Sequence, residues 1–218
     1  MAWLQTIALL IPTIYLKHLK TYAMKILQLT AIAVSIIFAG CSKQEIVQPQ
    51  TTTAAAQTVS NAPTTHFIGE HFGGGIVFYV SNNGLHGLIA DSTDLKAATW
   101  YNGTYTITGV TATNIGSGKG NTRLIIQDQG TPGKYAANLC AKSKRGGFTD
   151  WYLPSRDELS QMYLERDVIG NFVLSNYYWS SSEIHDSSVF SWGVYFFSGV
   201  QYANPKNYIG NVRAIRAF

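Results

Sequence analysis

Cysteine is scarce: Cys41 and Cys140 are the only two in 218 residues. Two thiols build neither the multi-disulfide framework of a small secreted scaffold nor a four-cysteine zinc site. Charge is scarce too, at 13% of residues against 46% hydrophobic. That balance excludes a chain kept disordered by low hydrophobicity and high net charge. No apolar run reaches the roughly 20 residues of a spanning helix; residues 2–16 and 26–40 both fall short, and Pro12 breaks the first. His66, His71, His86 and His185 show no His-x-x-x-His spacing, no EF-hand loop occurs, and no serine sits in a Gly-x-Ser-x-Gly elbow. The length suits one ordinary domain with an appendage.

What is present begins with a signal. Residues 26–40 follow Met24 and Lys25 and run into Phe38-Ala39-Gly40-Cys41. A basic start, an apolar stretch and small residues before a cleavage point make an export signal, expected over residues 1–40. The Ala-Gly-Cys ending resembles a bacterial lipobox, which implies a diacylated Cys41, cleavage before it and acylation of the new amine. Met24 is expected as the natural start. Several acyl chains anchor stably to a membrane, and Ser42 in place of Asp implies sorting to the outer membrane of a Gram-negative cell. Cleavage takes Lys17, Lys20 and Lys25 from the 16 basic residues, leaving 13 against 12 acidic ones. The net charge of +4 therefore belongs to the export signal, and nucleic acid is not an expected partner.

Residues 41–65 are rich in Gln, Thr, Ala, Ser and Pro, as in Thr51-Thr52-Thr53-Ala54-Ala55-Ala56-Gln57, and are expected as a flexible tether. Residues 66–218 are expected as one α+β domain. Residues 74–80 read as a strand, Asn82-Asn83-Gly84 as a hairpin turn, and 85–91 as the returning strand. Residues 121–129 and 134–143 have helical spacing, with Leu124, Ile125, Ala136, Ala137, Leu139 and Cys140 inward. Ser155 and Glu158, after Pro154, form a capping box for a helix reaching about Arg166. Only strands are expected beyond it, over 177–182, 189–197 and 207–218, with the even positions from Phe190 to Phe196 facing the core. Gly116-Ser117-Gly118-Lys119-Gly120-Asn121-Thr122 lacks the order of a phosphate-binding loop and is expected as a flexible loop.

Several of these segments carry a resemblance. They are Ile68-Gly69-Glu70, Gly74–Tyr79 (residues 74–79), Gly87-Leu88-Ile89-Ala90, Ala136-Ala137-Asn138-Leu139-Cys140, residues 150–159 with Asp150-Trp151-Tyr152-Leu153-Pro154-Ser155, Tyr178-Trp179-Ser180-Ser181-Ser182-Glu183, and residues 212–218. In this order the sequence resembles the C-terminal domain of the Legionella collagen-like adhesin, over nearly all of 66–218. The resemblance implies a C-type-lectin-like fold, similar also to the formylglycine-generating-enzyme superfamily, and a surface lipoprotein. It implies little about activity beyond the binding of sulfated glycosaminoglycans by the adhesin that names the family.

Each candidate site residue has an architectural reading beside the functional one. Trp151 and Tyr152 stand before a capped helix, where anions and hydroxyls are readily held, or else they lock the loop into the core. Tyr178, Trp179 and Glu183 offer aromatic faces and a carboxylate to a sugar, or else they form a half-buried strand with Tyr178 and Trp179 on opposite faces. Lys142, Lys144 and Arg145, with Lys119, Lys134 and Arg156, suit a patch for sulfated polymer, or else the first three complement a helix dipole. Arg213 and Arg216 are expected on opposite faces of the last strand, one buried against Asp157 or Glu183. Ser180–Ser182 with His185 and Asp186 raise a hydrolase reading, Cys140 reads as a small core hydrophobe, and Asp150, Asn171 or Glu183 are the acids and amides nearest to a calcium loop. No catalytic residue, metal site or cofactor is expected.

The reading the sequence supports is a non-enzymatic adhesin-like domain on an outer-membrane lipoprotein, binding carbohydrate or another anionic polymer and touching the membrane through its lipid. The alternatives are a structural or interaction protein of the envelope and an enzyme of the formylglycine type.

Overall fold

The chain reverses at Asn82–Gly84, where three successive residues take φ of 48°, 55° and 87°. Asn and Gly are the residues that accept this left-handed backbone at least cost. The reversal joins β2 (Gly75–Ser81) to β3 (His86–Ala90) as an antiparallel pair. This computed structural model describes residues 63–218. The expected export signal, the Cys41 lipid site and all but the last three residues of the expected tether lie outside the described residues.

β1 (His71–Phe72) and the C-terminal β7 (Ile215–Ala217) flank that hairpin, giving an antiparallel sheet in the order β1-β2-β3-β7. A second antiparallel sheet, β4-β5-β6, is built from Tyr177–Glu183, Phe190–Tyr195 and Gln201–Pro205. Bridges from Tyr152 to Ile215 and from Tyr178 to Asn211 tie the two sheets through the C-terminal segment. The helices are α1 (Gly118–Gln129), α2 (Ala136–Ala141), α3 (Arg156–Leu164) and α4 (Arg166–Ile169).

The strands are packed on both faces, and alternation sorts their side chains into two cores. Val77, Ile89, Trp151, Tyr177, Trp179 and Ala214 enter one with Ile125 of α1 and Ala136, Ala137 and Cys140 of α2. Phe78, Leu88, Tyr152, Tyr178, Val194 and Ile215 enter the other with Leu159 and Met162 of α3 and Ile169 of α4. The result is a mixed α+β domain, as expected from the sequence.

Several elements differ from expectation. Residues 118–122 of the expected loop are helical: α1 starts at Gly118, whose backbone lies against the Glu158 carboxylate where a Cβ would not fit. The inward face of α1 is Asn121, Thr122, Ile125 and Gln129, so Leu124 is exposed. That face is largely polar, which apolar periodicity misses. Pro132, Gly133 and the extended Tyr135 delay α2 to Ala136, and Leu139 is only partly buried. A fourth helix, α4, follows α3. Of the strand expected over 207–218 only β7 (Ile215–Ala217) forms, since 206–214 runs past residues 91–100 instead, and β6 (Gln201–Pro205) was not expected. Phe190 lies at the open end of β5 and is exposed, while Val194 and Phe196 are fully buried.

Residues 91–117 contain only one isolated bridge, Ala98 to Gly210, yet Trp100 and Val110 are buried. Buried backbone needs hydrogen-bond partners; carbonyls of 206–214 take the amides of Asp91, Leu95, Ala98 and Trp100, and side-chain carboxylates take those of Thr108, Gly109 and Gly116. Glu183 accepts from Thr108 N (3.0 Å), Thr108 Oγ1 (3.2 Å) and Gly109 N (2.9 Å). Its partner is the equally buried Lys206, whose Nζ also donates to Thr106 O at 2.8 Å and stands 4.7 Å from the Trp100 ring centroid. Burial pulls the Lys206 ammonium below its ordinary range, against the pull of Glu183. Glu158 completes the capping box on Ser155 with one oxygen (2.7 Å) and accepts from Gly116 N with the other (2.8 Å). One carboxylate therefore terminates α3 and fixes the approach to α1. Burial lifts its pKa while the N–H donors of Ser155, Gly116 and Gly118 hold it down.

Two outcomes follow for stability. Glu158→Gln keeps only one acceptor oxygen for two backbone donors, so chemical denaturation should show a loss of about 1–3 kcal/mol; an unchanged midpoint would remove the shared cap from the account. Lys206→Met strands a buried carboxylate and should cost about 3–5 kcal/mol, with part of the loss recovered in the Glu183→Gln/Lys206→Met double variant.

Candidate functional site

The expected ligand-binding side chains are mostly interior. Trp151 and Tyr152 are 2% and 3% exposed, Tyr178 and Trp179 are fully buried, and Glu183 is 1% exposed. The polar atoms of all but Tyr152 are already engaged. Trp151 Nε1 donates to Arg145 O (3.1 Å), Trp179 Nε1 to Ala98 O (3.0 Å), and Tyr178 Oη to Asp94 Oδ2 (2.7 Å). β4 is buried on both faces rather than half-buried, so Tyr178 and Trp179 reach opposite cores and not a shared ligand face.

The expected basic cluster divides. Arg145 is a strut: its Nη1 donates to Asp91 Oδ1 at 3.1 Å and its Nη2 to Asp94 O at 3.2 Å. Burial raises the pKa of Asp91, against the opposing pulls of Thr93 N–H and Arg145. Lys142 is exposed and donates to Thr131 O at 2.7 Å, and Lys144 is exposed. Arg213 is the buried arginine, but it pairs with Asp94 at 2.6 Å and lies 4.0 Å from the Phe172 ring centroid. The expected partners are taken elsewhere, Asp157 by Arg156 and Glu183 by Lys206. Arg216 holds Asp150 with both ends of the carboxylate, at 2.8 and 3.0 Å. That pair, more than the nearby Lys119, lowers the Asp150 pKa.

α1 and the segment 149–152 enclose a shallow cavity of about 270 Å³. Ile126, Ala141, Trp151 and Tyr152 line it, and Lys119, Arg123 and Asp150 carry its charges. Lys119 and Arg123 are exposed and stand one helical turn apart, a like-charge spacing that costs a helix a few tenths of a kcal/mol. Lys119 also sits in the first turn, where the helix dipole disfavours a cation. Among the described residues neither has a carboxylate within ion-pair distance, since Arg216 already occupies Asp150. Two unpaired cations above an apolar floor suit an anionic group carried on a ring or chain. Arg123 was not among the expected residues. Starting α1 at Gly118 is what reveals its register with Lys119.

The remaining chemistry is dispersed. Ser180 Oγ donates to Trp192 O and Ser182 Oγ to Ala112 O, each at 2.8 Å, while His185 pairs with Asp186 out in solvent. Cys140 is fully buried, and burial raises its thiol pKa well above the ordinary range. Asp150, Asn171 and Glu183 point to different partners: Arg216, Ser92 O and Lys206. Among the described residues no three His, Cys, Asp or Glu side chains come together.

No curated protein matches the chain. The family model of the Lcl C-terminal domain matches residues 91–216, within which fall the 150–159 and Tyr178–Glu183 motifs and both walls of the cavity. β1, β2 and β3 precede the matched span, yet β3 pairs with β7 through Leu88, Ile89 and Ala90, so the folded unit continues upstream of it. With more than half of its residues inside the match, the chain belongs to the Lcl C-terminal domain family, and that membership points to an adhesin-like domain.

Proposed function

We propose that the domain is a non-enzymatic binding module for anionic polysaccharide, carried on a lipoprotein that Cys41 anchors to the outer membrane. The observation that carries this reading is the pair of unpaired cations, Lys119 and Arg123, over an apolar floor of Ile126 and Ala141 backed by the nearly buried Trp151. A sulfate or carboxylate would relieve their mutual repulsion and gain charge-assisted hydrogen bonds, while a sugar ring would cover the floor. Asp150 is held by Arg216, so its repulsion of such a ligand is offset. Family membership supports an adhesive role, and the lipobox-like Ala39-Gly40-Cys41 supports the anchor. A second reading, an envelope interaction protein without a glycan ligand, draws support from the burial of Trp151, Tyr178 and Trp179, which places those aromatic side chains in the cores.

Titration of the full chain with a sulfated heparin-type hexasaccharide separates the two. Binding should weaken as salt rises, because exposed charges are screened, and Lys119→Glu/Arg123→Glu should lower affinity at least about tenfold. Lys142→Glu/Lys144→Glu should stay within about twofold of the parent. No binding by the parent chain, or equal binding by the Lys119/Arg123 variant, would overturn the polysaccharide reading.

A further inference from the structure

The second sheet carries a face the cationic cavity does not use. Tyr177 pairs with Tyr195 across β4 and β5, and Gly193 with Tyr202 across β5 and β6. Side-chain alternation puts Tyr177, Tyr195, Gly193, Tyr202 and Asn204 on the same side. Tyr177 and Asn204 close over Gly193, where a Cβ would stand 2.9 Å from both Tyr177 Cδ2 and Asn204 Nδ2. The tyrosine rings on this side form a chain. Tyr177 and Tyr195 have centroids 5.5 Å apart, and Tyr195 and Tyr202 meet edge to face at 5.4 Å. Tyr202 is 52% exposed.

Tyr195, Ser198, Tyr202, Ala203 and Asn204 line a cavity of about 360 Å³ that shares no residue with the cationic one. Asn204 Nδ2 donates to Tyr202 O, which leaves its amide oxygen to accept. The Tyr177 hydroxyl beside them is buried without a partner. None of the lining residues carries a charge at neutral pH. The adjoining Lys206 is buried and paired with Glu183, so this face has no countercharge for a sulfate or carboxylate.

We propose that this tyrosine-lined face is a second ligand site, one that takes a neutral pyranose unit of a polysaccharide. Tyr202 and Tyr195 present flat apolar surface with a polar edge, matching the C–H face of a sugar ring, and Asn204 and Ser198 hold its hydroxyls. The site differs from the cationic cavity in position and in charge class, and does not depend on it. β6 is also a sheet edge, the kind of surface on which a partner's strand can add; the uncharged, hydroxyl-bearing lining favours the sugar.

The test titrates the full chain with neutral hexasaccharides of β-1,4-linked glucose, mannose and N-acetylglucosamine, read by intrinsic fluorescence. At least one should bind. Tyr202→Ala, at an exposed position, should lower that affinity at least tenfold, and Tyr202→Phe should stay within about threefold because the ring remains. Lys119→Glu/Arg123→Glu should leave neutral-sugar binding unchanged, and Tyr202→Ala should leave heparin-hexasaccharide binding unchanged, so either site can fail alone. The proposal is overturned if none of the three sugars binds, if binding survives Tyr202→Ala, or if Tyr202→Ala alters only the self-association of the chain in sedimentation.

Discussion

Buried carboxylates accept the hydrogen bonds that residues 91–117 cannot make to one another. The segment carries Trp100 and Val110 into the core with no strand or helix of its own, and backbone carbonyls of 206–214 satisfy only its first part. Glu183 takes the amides of Thr108 and Gly109, Glu158 takes that of Gly116, and Asp94 anchors the segment to Arg213 and Tyr178. A buried charge is tolerated only when paired and hydrogen-bonded. Glu183 meets that condition through Lys206, the partly buried Asp94 pairs with Arg213, and Glu158 is held at the N-terminus of α3 by backbone N–H donors alone. The two sheets and four helices are therefore held together through a stretch that has almost no regular structure of its own.

This arrangement decides which residues are free to act. Trp151, Tyr178, Trp179, Glu183 and Arg145 have the chemistry of a sugar site, but all of their polar atoms named above are committed to internal partners. Among the groups left facing water with no internal partner are Lys119 and Arg123 on α1 and Tyr202 of β6. Motif specificity and ligand contact thus part company here. The motifs that mark the family report how its scaffold is braced, and recognition is proposed to fall to surface residues beside them.

The legible part of the fold was local. The Asn82–Gly84 turn, the β2–β3 hairpin and the Ser155/Glu158 capping box each depend on a few adjacent residues, and the sequence shows them directly. Glu158 was readable as the cap of α3, but its second role on Gly116 joins residues far apart in the chain and leaves no local trace. The partner of Arg213 is Asp94, far from it in sequence, and charge alone could not choose that acid over Asp157 or Glu183. The polar inner face of α1, Asn121, Thr122 and Gln129, hid both the start of that helix and the Lys119–Arg123 pair. In β4 an uninterrupted run of aromatic and serine residues reads equally as a half-exposed or a fully buried strand. Burial on both faces settles that only once the second core, under α3 and α4, is in place.

Amide hydrogen exchange at Thr108, Gly109 and Gly116 tests the bracing most directly, because protection of an amide reports how rarely its hydrogen bond opens. These three amides lie outside every strand and helix and donate to side-chain carboxylates. They should exchange as slowly as the amides of Val77 and Trp179 in the sheets, in step with global unfolding. Exchange at the rate of an open loop would contradict the account, freeing Glu158 and Glu183 from their internal role and returning Glu183 to the residues available to a ligand.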